Sequence, residues 1–264
     1  MPINCLFPGG KKKAITLSYD DGFKPDVKLV EMLNKYDLKG TFHLNGGLLG
    51  TDGRLCADEI IPLFKGHEIS AHALTHQSLT VCPREKLIDE IMKDREILER
   101  LTGKIIRGMS YPYGSVNDFV VEMIKSLGME YSRTVHSTKY FHLPDDFLRW
   151  NATCHHNESL HELTDIFLDD KNIYSSRLFY IWGHSFEFER DGNWDMMEEF
   201  CKKVSGREDV WFATNIEICD YLNAYRSLRF SADLKMVLNK SAMNVAAEID
   251  GQAVEIPAGI EMVI

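Results

Sequence analysis

Asp20 and Asp21 stand side by side in the run Ser18, Tyr19, Asp20, Asp21, Gly22, directly after residues with strand character. Two adjacent carboxylates at a strand end cannot both be buried without a cation or another partner. The same run, taken alone, is also an ordinary Asp-Asp-Gly turn. Farther along, His72 and His76 are separated by three residues, again just after a predicted strand. Two imidazoles at that separation can meet one metal ion from a helix or a tight loop. By itself a His pair is weak evidence, but an Asp pair and a His pair at two strand ends reinforce each other. Asp21, His72 and His76 offer one oxygen and two nitrogens, a zinc-like set with room left for water. Two more segments lie at strand ends: Ser110 to Gly114, reading Ser-Tyr-Pro-Tyr-Gly, and Tyr180 to Ser185, which carries His184. His184 could be a buried structural histidine or a site residue.

The elements that must position these residues alternate. The spacing predicts strands over 15–19, 41–44, 67–71, 105–109, 129–134, 178–182 and 210–213. Helices are predicted over 26–36, 84–101, 116–127, 160–168, 196–204 and 215–225. The second of these starts after Pro83 and stops at Gly103, a clean pair of boundary signals. Strand and helix repeated about seven times is the pattern of a parallel α/β sheet. The expected fold is a deformed (β/α) barrel of seven or eight parallel strands, in which functional residues gather at the C-terminal strand ends. After about Ser227 the pattern changes to short strands, with a hairpin signal at Asp250-Gly251. The expected organisation is therefore a barrel domain over 1–226 and a small β appendage over 227–264.

Composition narrows the class. The 264 residues are 44% hydrophobic and 27% charged, with a formal net charge of −10. This acidic balance argues against nucleic acid or an anionic membrane as a main partner. Lys11, Lys12 and Lys13 form the one basic cluster, which reads as a solvated lead-in to a strand. Cys5, Cys56, Cys82, Cys154, Cys201 and Cys219 form no C-x-x-C pair and suggest a reducing compartment. The first ten residues lack the charged start and apolar run of a signal peptide, so the expected location is cytoplasmic.

The motifs in order resemble those of the polysaccharide deacetylases, carbohydrate esterase family four: an Asp-Asp-Gly turn, an H-x-x-x-H pair, a Pro-Tyr-Gly turn and a late strand ending in His. They run from Ser18 to His184 and so span most of the chain. The resemblance implies a metal-dependent hydrolase that removes acetyl groups from a sugar, oligosaccharide or polysaccharide, or from a small amide. It implies one divalent metal on Asp21, His72 and His76, with Zn2+ expected and Co2+, Ni2+ or Mn2+ as alternatives. Asp20 matches the general base and His184 the general acid. The Tyr113 backbone N–H would face the developing oxyanion, and Thr75 would brace the histidine loop.

This chain departs from the family in two places. Ser110 stands where many members place an Arg two residues before the Pro, and Arg107 is out of register. Arg149-Trp150 occupies the place of a motif that normally includes an Asp, so Arg149 is the expected source of the missing guanidinium. Trp150, Trp182 and Tyr111 are candidates for a sugar-binding wall, although tryptophans beside barrel strands also simply fill core. Adjacent His155 and His156 should point to opposite sides of an extended segment. His43 at a strand end could line the site, and Glu187 could orient a nearby His or Arg. The rival readings are a metal-independent cyclic-amide hydrolase and a degenerate carbohydrate-binding protein.

Overall fold

The computed structural model describes residues 3–169 and 174–264. In chain order the first strands are β1 (Ile3–Leu6), β2 (Lys13–Asp20), β3 (Thr41–Leu44), β4 (Glu68–Ala71) and β5 (Gly108–Ser110). They are followed by β6 (Tyr131–Ser137), β7 (Trp150–Ala152), β8 (Cys154–His155), β9 (Arg177–Gly183) and β10 (Val210–Phe212). Among the described residues eight α-helices lie between and after them: α1 (Asp26–Lys35), α2 (Ala57–Leu63), α3 (Arg84–Thr102), α4 (Asp118–Ser126), α5 (Leu160–Asp169), α6 (Ser185–Asp191), α7 (Trp194–Val204) and α8 (Asn215–Arg226).

All pairings among β2 to β10 are parallel. β9 runs along one edge of β2, while β10 and β3 share the other, opposite Lys13–Ile15 and Ser18–Asp20 respectively. The sheet continues through β4, β5 and β6 to β7. β7 and β8 are two halves of one segment. The first half pairs with β6, the second with β9, and between them the Thr153 N–H donates to the Tyr180 carbonyl at 2.8 Å. This segment joins both edges of the sheet and closes the expected deformed barrel. No strand is predicted here, although Trp150 to His155 alternate apolar and polar, because the halves are only three and two residues long and neither makes a strand without its partner.

β2 is buried at every position, as a strand covered on both faces should be. Its alternation is chemical. Ile15, Leu17 and Tyr19 join the apolar layer with Leu29 and Leu33 of α1. Thr16, Ser18 and Asp20 face the barrel interior, where they meet Asn215, His43 and Arg133. The interior is therefore a polar column, continued by Thr41 and Tyr131 on Glu68. It is also tight: a Cβ at Gly108 would collide with the Tyr131 ring.

The tail contributes β11 (Arg229–Phe230), β12 (Met236–Leu238), β13 (Val245–Ile249), β14 (Gln252–Ile256) and β15 (Glu261–Val263). The β13–β14 hairpin turns at Asp250 and Gly251, both with positive φ (48° and 79°), which is the signature of a type I′ turn. β13 also pairs antiparallel with β1, so a strand precedes the expected first strand near Ala14. The Tyr221 hydroxyl of α8 donates to the Leu6 carbonyl at 2.6 Å and accepts the Ala246 N–H at 2.9 Å. Chain start, α8 and tail thus share one apolar cluster with Phe7, Trp211 and Tyr221. Among the described residues no helix is long and apolar enough to cross a membrane. All six cysteines are free thiols.

Candidate active site

The C-terminal strand ends bring the predicted groups together. Asp20 closes β2, and Asp21 follows it with a left-handed φ of 81°. Ala73 (61°), His76 (57°) and Tyr113 (58°) share that conformation. Non-glycine residues rarely adopt it, at a cost of roughly 1–3 kcal/mol each, and their concentration on the loops over one barrel mouth marks a functional surface. Asp21 Oδ1 lies 3.8 Å from His72 Nε2 and 3.5 Å from His76 Nε2. Among the described residues, neither Asp21 Oδ1 nor His72 Nε2 has a hydrogen-bond partner, although both are buried. Buried polar atoms facing one another in this way are satisfied by a cation or a water between them.

The tautomer of His72 fits that need. Its Nδ1 lies 3.0 Å from the Ser110 carbonyl, an acceptor, so Nδ1 carries the proton and Nε2 presents a lone pair. Burial pushes the His72 imidazole down to about 3, leaving it neutral at physiological pH. The residues thus fit a divalent cation held by two neutral imidazoles and one carboxylate.

The loop from His72 to His76 is held from below. Asp94 of α3 accepts the His72 N–H at 3.0 Å and the Gly46 N–H at 2.5 Å. Asn45 donates to the carbonyls of His72 and Ala73. Glu90 accepts both the N–H and the hydroxyl of Thr75, at 2.8 and 2.7 Å, which is how Thr75 braces the loop. The sequence offers a retrospective signal for the two carboxylates. Glu90 and Asp94 are four apart on α3 and buried on its inner face, where charge is out of place without a partner.

The guanidinium beside Asp20 belongs to Arg133, not to Arg149. Arg133 on β6 is fully buried and pairs through Nη2 with Asp20 Oδ2. Its Nε donates to Ser18 Oγ at 3.2 Å and its Nη1 to the Thr134 carbonyl at 3.0 Å, and the plane lies 4.3 Å from the Trp182 ring. Arg149 instead sits at the surface, paired with Asp118 at 2.5 Å and Asp146 at 3.0 Å beside a separate recess of about 380 Å³. The physical reason is register. Ser110 and Arg133 are direct neighbours across β5 and β6, so their side chains reach the same level of the barrel. Ser110 Oγ completes the arrangement, donating to Asp20 Oδ1 at 3.0 Å and lying 2.6 Å from His72 Nδ1. Burial opposes ionisation of Asp20, but Arg133 outweighs it and holds the carboxyl well below the usual range. Asp21 moves the other way, raised by burial and by the neighbouring Asp20.

The aromatic candidates divide. Tyr113 is 71% exposed, with its ring edge-on to His76 at 4.4 Å. Trp182 reaches the site, 4.7 Å from the His155 ring and 5.7 Å from His184. Trp150 and Tyr111 do not form a groove wall. Trp150 is core, packed edge-on against Tyr131, Phe147 and Tyr180, while the Tyr111 hydroxyl donates inward to the Leu148 carbonyl. His43 is buried one level below Asp20, with Nε2 2.9 Å from Ser18 Oγ. His155 and His156 do not point to opposite sides. The strand ends at His155, the backbone turns, and both rings come to Glu187 at 2.9 and 3.5 Å. His184 caps α6, with Nδ1 3.3 Å from the same Glu187 oxygen.

The sequence profile of the family described as Polysaccharide deacetylase matches residues 8–132, the stretch holding Asp20, Asp21, His72, His76 and the Pro-Tyr-Gly turn. Residues 8–132 thus place that part of the chain in the polysaccharide deacetylase family. Among relatives, the peptidoglycan-N-acetylglucosamine deacetylase PgdA of Listeria monocytogenes is 28% identical over 48% of this chain and 27% of its own length. A peptidoglycan-N-acetylglucosamine deacetylase of Bacillus cereus is 30% identical over 42% of this chain and 40% of its own. The matched stretch therefore spans less than half the length of these relatives. A candidate polysaccharide deacetylase from Mycobacterium smegmatis shares the fold with a TM-score of 0.64 at 18% identity, covering 84% of this chain and 94% of that one. A CE4 family pseudoenzyme from Bacillus anthracis shares it at 0.53 and 19% identity, over 81% of this chain and 66% of that one. The fold of this chain is thus shared with a candidate deacetylase and with a pseudoenzyme, and the side chains at the barrel mouth carry any further distinction.

Proposed function

We propose that this chain is a metal-dependent deacetylase, acting on N-acetylated or O-acetylated sugars, oligosaccharides or polysaccharides. The single observation that carries the reading is the pair of partnerless buried atoms, Asp21 Oδ1 and His72 Nε2, beside the ion-paired Asp20. Asp21, His72 and His76 would hold one divalent ion, for which the ligand types favour zinc. Such an ion supplies Lewis-acid polarisation of an acetyl carbonyl and a water acidified from a pKa of about 15.7 toward about 7. The protein's own groups do the rest. Arg133 and Ser110 fix Asp20 as an anion aimed into the site, ready to take a proton from the attacking water. The Tyr113 N–H, on the left-handed turn whose ring packs against His76, would donate to the developing oxyanion. His184 then returns a proton to the departing amine or alcohol oxygen. The peptidoglycan and chitin deacetylases among the relatives make an N-acetylated aminosugar the first substrate to try.

The test is acetate release from N-acetylated chito-oligosaccharides and peptidoglycan fragments, after dialysis against a chelator and again after Zn2+, Co2+, Ni2+ or Mn2+ is restored. Turnover that survives complete metal removal sinks the mechanism. The fold likeness to a pseudoenzyme supports one second reading, a glycan-binding protein without turnover. Oligosaccharide binding by Asp20→Asn, with no acetate released by the parent under any metal, would establish that reading instead.

A further inference from the structure

One carboxylate oxygen, Glu187 Oε2, stands among four nitrogens. It is 2.9 Å from His155 Nε2, 3.2 Å from the His184 backbone N, 3.3 Å from His184 Nδ1 and 3.5 Å from His156 Nε2. The four come from two places in the chain, the barrel-closing segment and the start of α6. Such a cluster is also close enough to accept a cation. The protons argue otherwise. The Asn157 N–H donates to His155 Nδ1 at 3.2 Å, so that nitrogen holds a lone pair and the neutral ring carries its proton on Nε2. His155 is therefore a donor to Glu187, and its Nε2 has no free lone pair for a metal.

We propose that His155, Glu187 and His184 form a positioning row, in which His155 fixes the Glu187 carboxylate and Glu187 in turn fixes the His184 ring. This deepens the deacetylase reading and rests on it for the role of His184. The capping geometry supplies the rigidity. Glu187 is the third residue of α6 and accepts the N–H of His184, the residue that caps the helix, which ties the carboxylate to the backbone of the side chain it serves. His155 adds a second donor on the same oxygen, and His184 Nδ1, buried without a hydrogen-bond partner in this ring orientation, faces Oε2 at 3.3 Å, so that a small rotation of the ring closes the contact. A carboxylate there selects the tautomer with the proton on Nδ1 and favours the imidazolium, so Nε2 is the nitrogen offered to the leaving group. Burial acts against the charged ring, yet Glu187 with Asp20 and Asp21 leaves His184 above its ordinary value. The family motif that normally brings an Asp is incomplete in this chain. Glu187 provides a carboxylate from within the His184 helix, and no separate segment has to deliver one.

Glu187→Gln keeps the shape and removes the charge. It is expected to lower kcat about 10- to 100-fold with KM little changed, and to move the alkaline limb of the kcat–pH profile about one unit toward acid. His155→Phe fills the space without a donor and should shift the limb the same way by a smaller amount. His155→Gln, which can still donate, should recover most of the parent profile. NMR of the His184 ring nitrogens reads its tautomer and titration directly and needs no turnover, so it remains decisive even if the chain deacetylates nothing. An unchanged His184 titration and tautomer in both Glu187→Gln and His155→Phe would overturn the row. A shift in Glu187→Gln without one in His155→Phe would remove His155 from it.

Discussion

Replacing Arg133 by Met would strand the Asp20 carboxylate inside the barrel. The guanidinium is fully buried and pairs with Asp20, donates to Ser18 Oγ and the Thr134 carbonyl, and stacks on Trp182. Removing one member of a buried pair costs about 3–5 kcal/mol, mostly because the other charge is left without a partner. A chain of this size loses about 2–4 °C of Tm per kcal/mol, so the midpoint should fall by roughly 10 °C. Asp20→Asn combined with Arg133→Met should cost much less than the sum of the two single changes, with a coupling of about 2 kcal/mol or more. Urea unfolding of the four proteins closes this double-mutant cycle. Turnover gives the second readout: Arg133→Met should lose about 100-fold or more, as expected when a general base is no longer held in place and ionised. Arg149→Ala is the control, because exposed ion pairs contribute about 0–1 kcal/mol. Additive costs within about 0.5 kcal/mol, or an Arg149→Ala defect as large as that of Arg133→Met, would refute the assignment.

Three further outcomes follow from the same geometry. Burial raises the Glu68 carboxyl to about 7, so the folded protein keeps a proton that the unfolded chain releases near 4.5. Stability should therefore fall as pH rises from about 4.5 to about 7, by at most about 3 kcal/mol before solvent screening, and Glu68→Gln should flatten that slope in urea titrations at several pH values. Gly108→Ala drives a methyl into the Tyr131 ring and should cost about 1–3 kcal/mol or more, measured by calorimetry. Zn2+ at 100 times its Kd should stabilise the parent by about 2.7 kcal/mol in thermal melts, and Asp21→Asn should lose most of that gain.

The parts of this protein that sequence alone made visible are those whose signal is local. Thr41–Leu44 and Arg84–Thr102 sit where apolar spacing, Pro83 and Gly103 put them. Asp20, Asp21, His72, His76 and His184 stood out because reactive side chains at strand ends are read without knowing what they touch. What stayed hidden depends on partners far away in the chain. β1 has no meaning without β13, near the other end of the sequence. The Trp150–His155 segment is defined by the two edges it joins, and α2 and α6 are only seven residues each. Arg133 lay inside a predicted strand, but a charge in a strand usually reads as facing water. Only the register with Ser110 shows that it points inward at the level of Asp20.

The closure of the barrel also orders its assembly. β7 pairs with β6 and β8 with β9 over short stretches of chain, so that half of the ring can form from nearby segments. The contact between β2 and β9 is different, because Lys13 must find Arg177 more than half the chain away. Loop-closure entropy makes such a seam slow to form. Asp20 ends one side of that seam and His184 follows the other. The proposed proton acceptor and proton donor therefore meet only when the ring is shut, and a chain with this seam open would hold the one without the other. Gain of hydrolytic competence during refolding would then report the last seam to close, later than any probe of helix content.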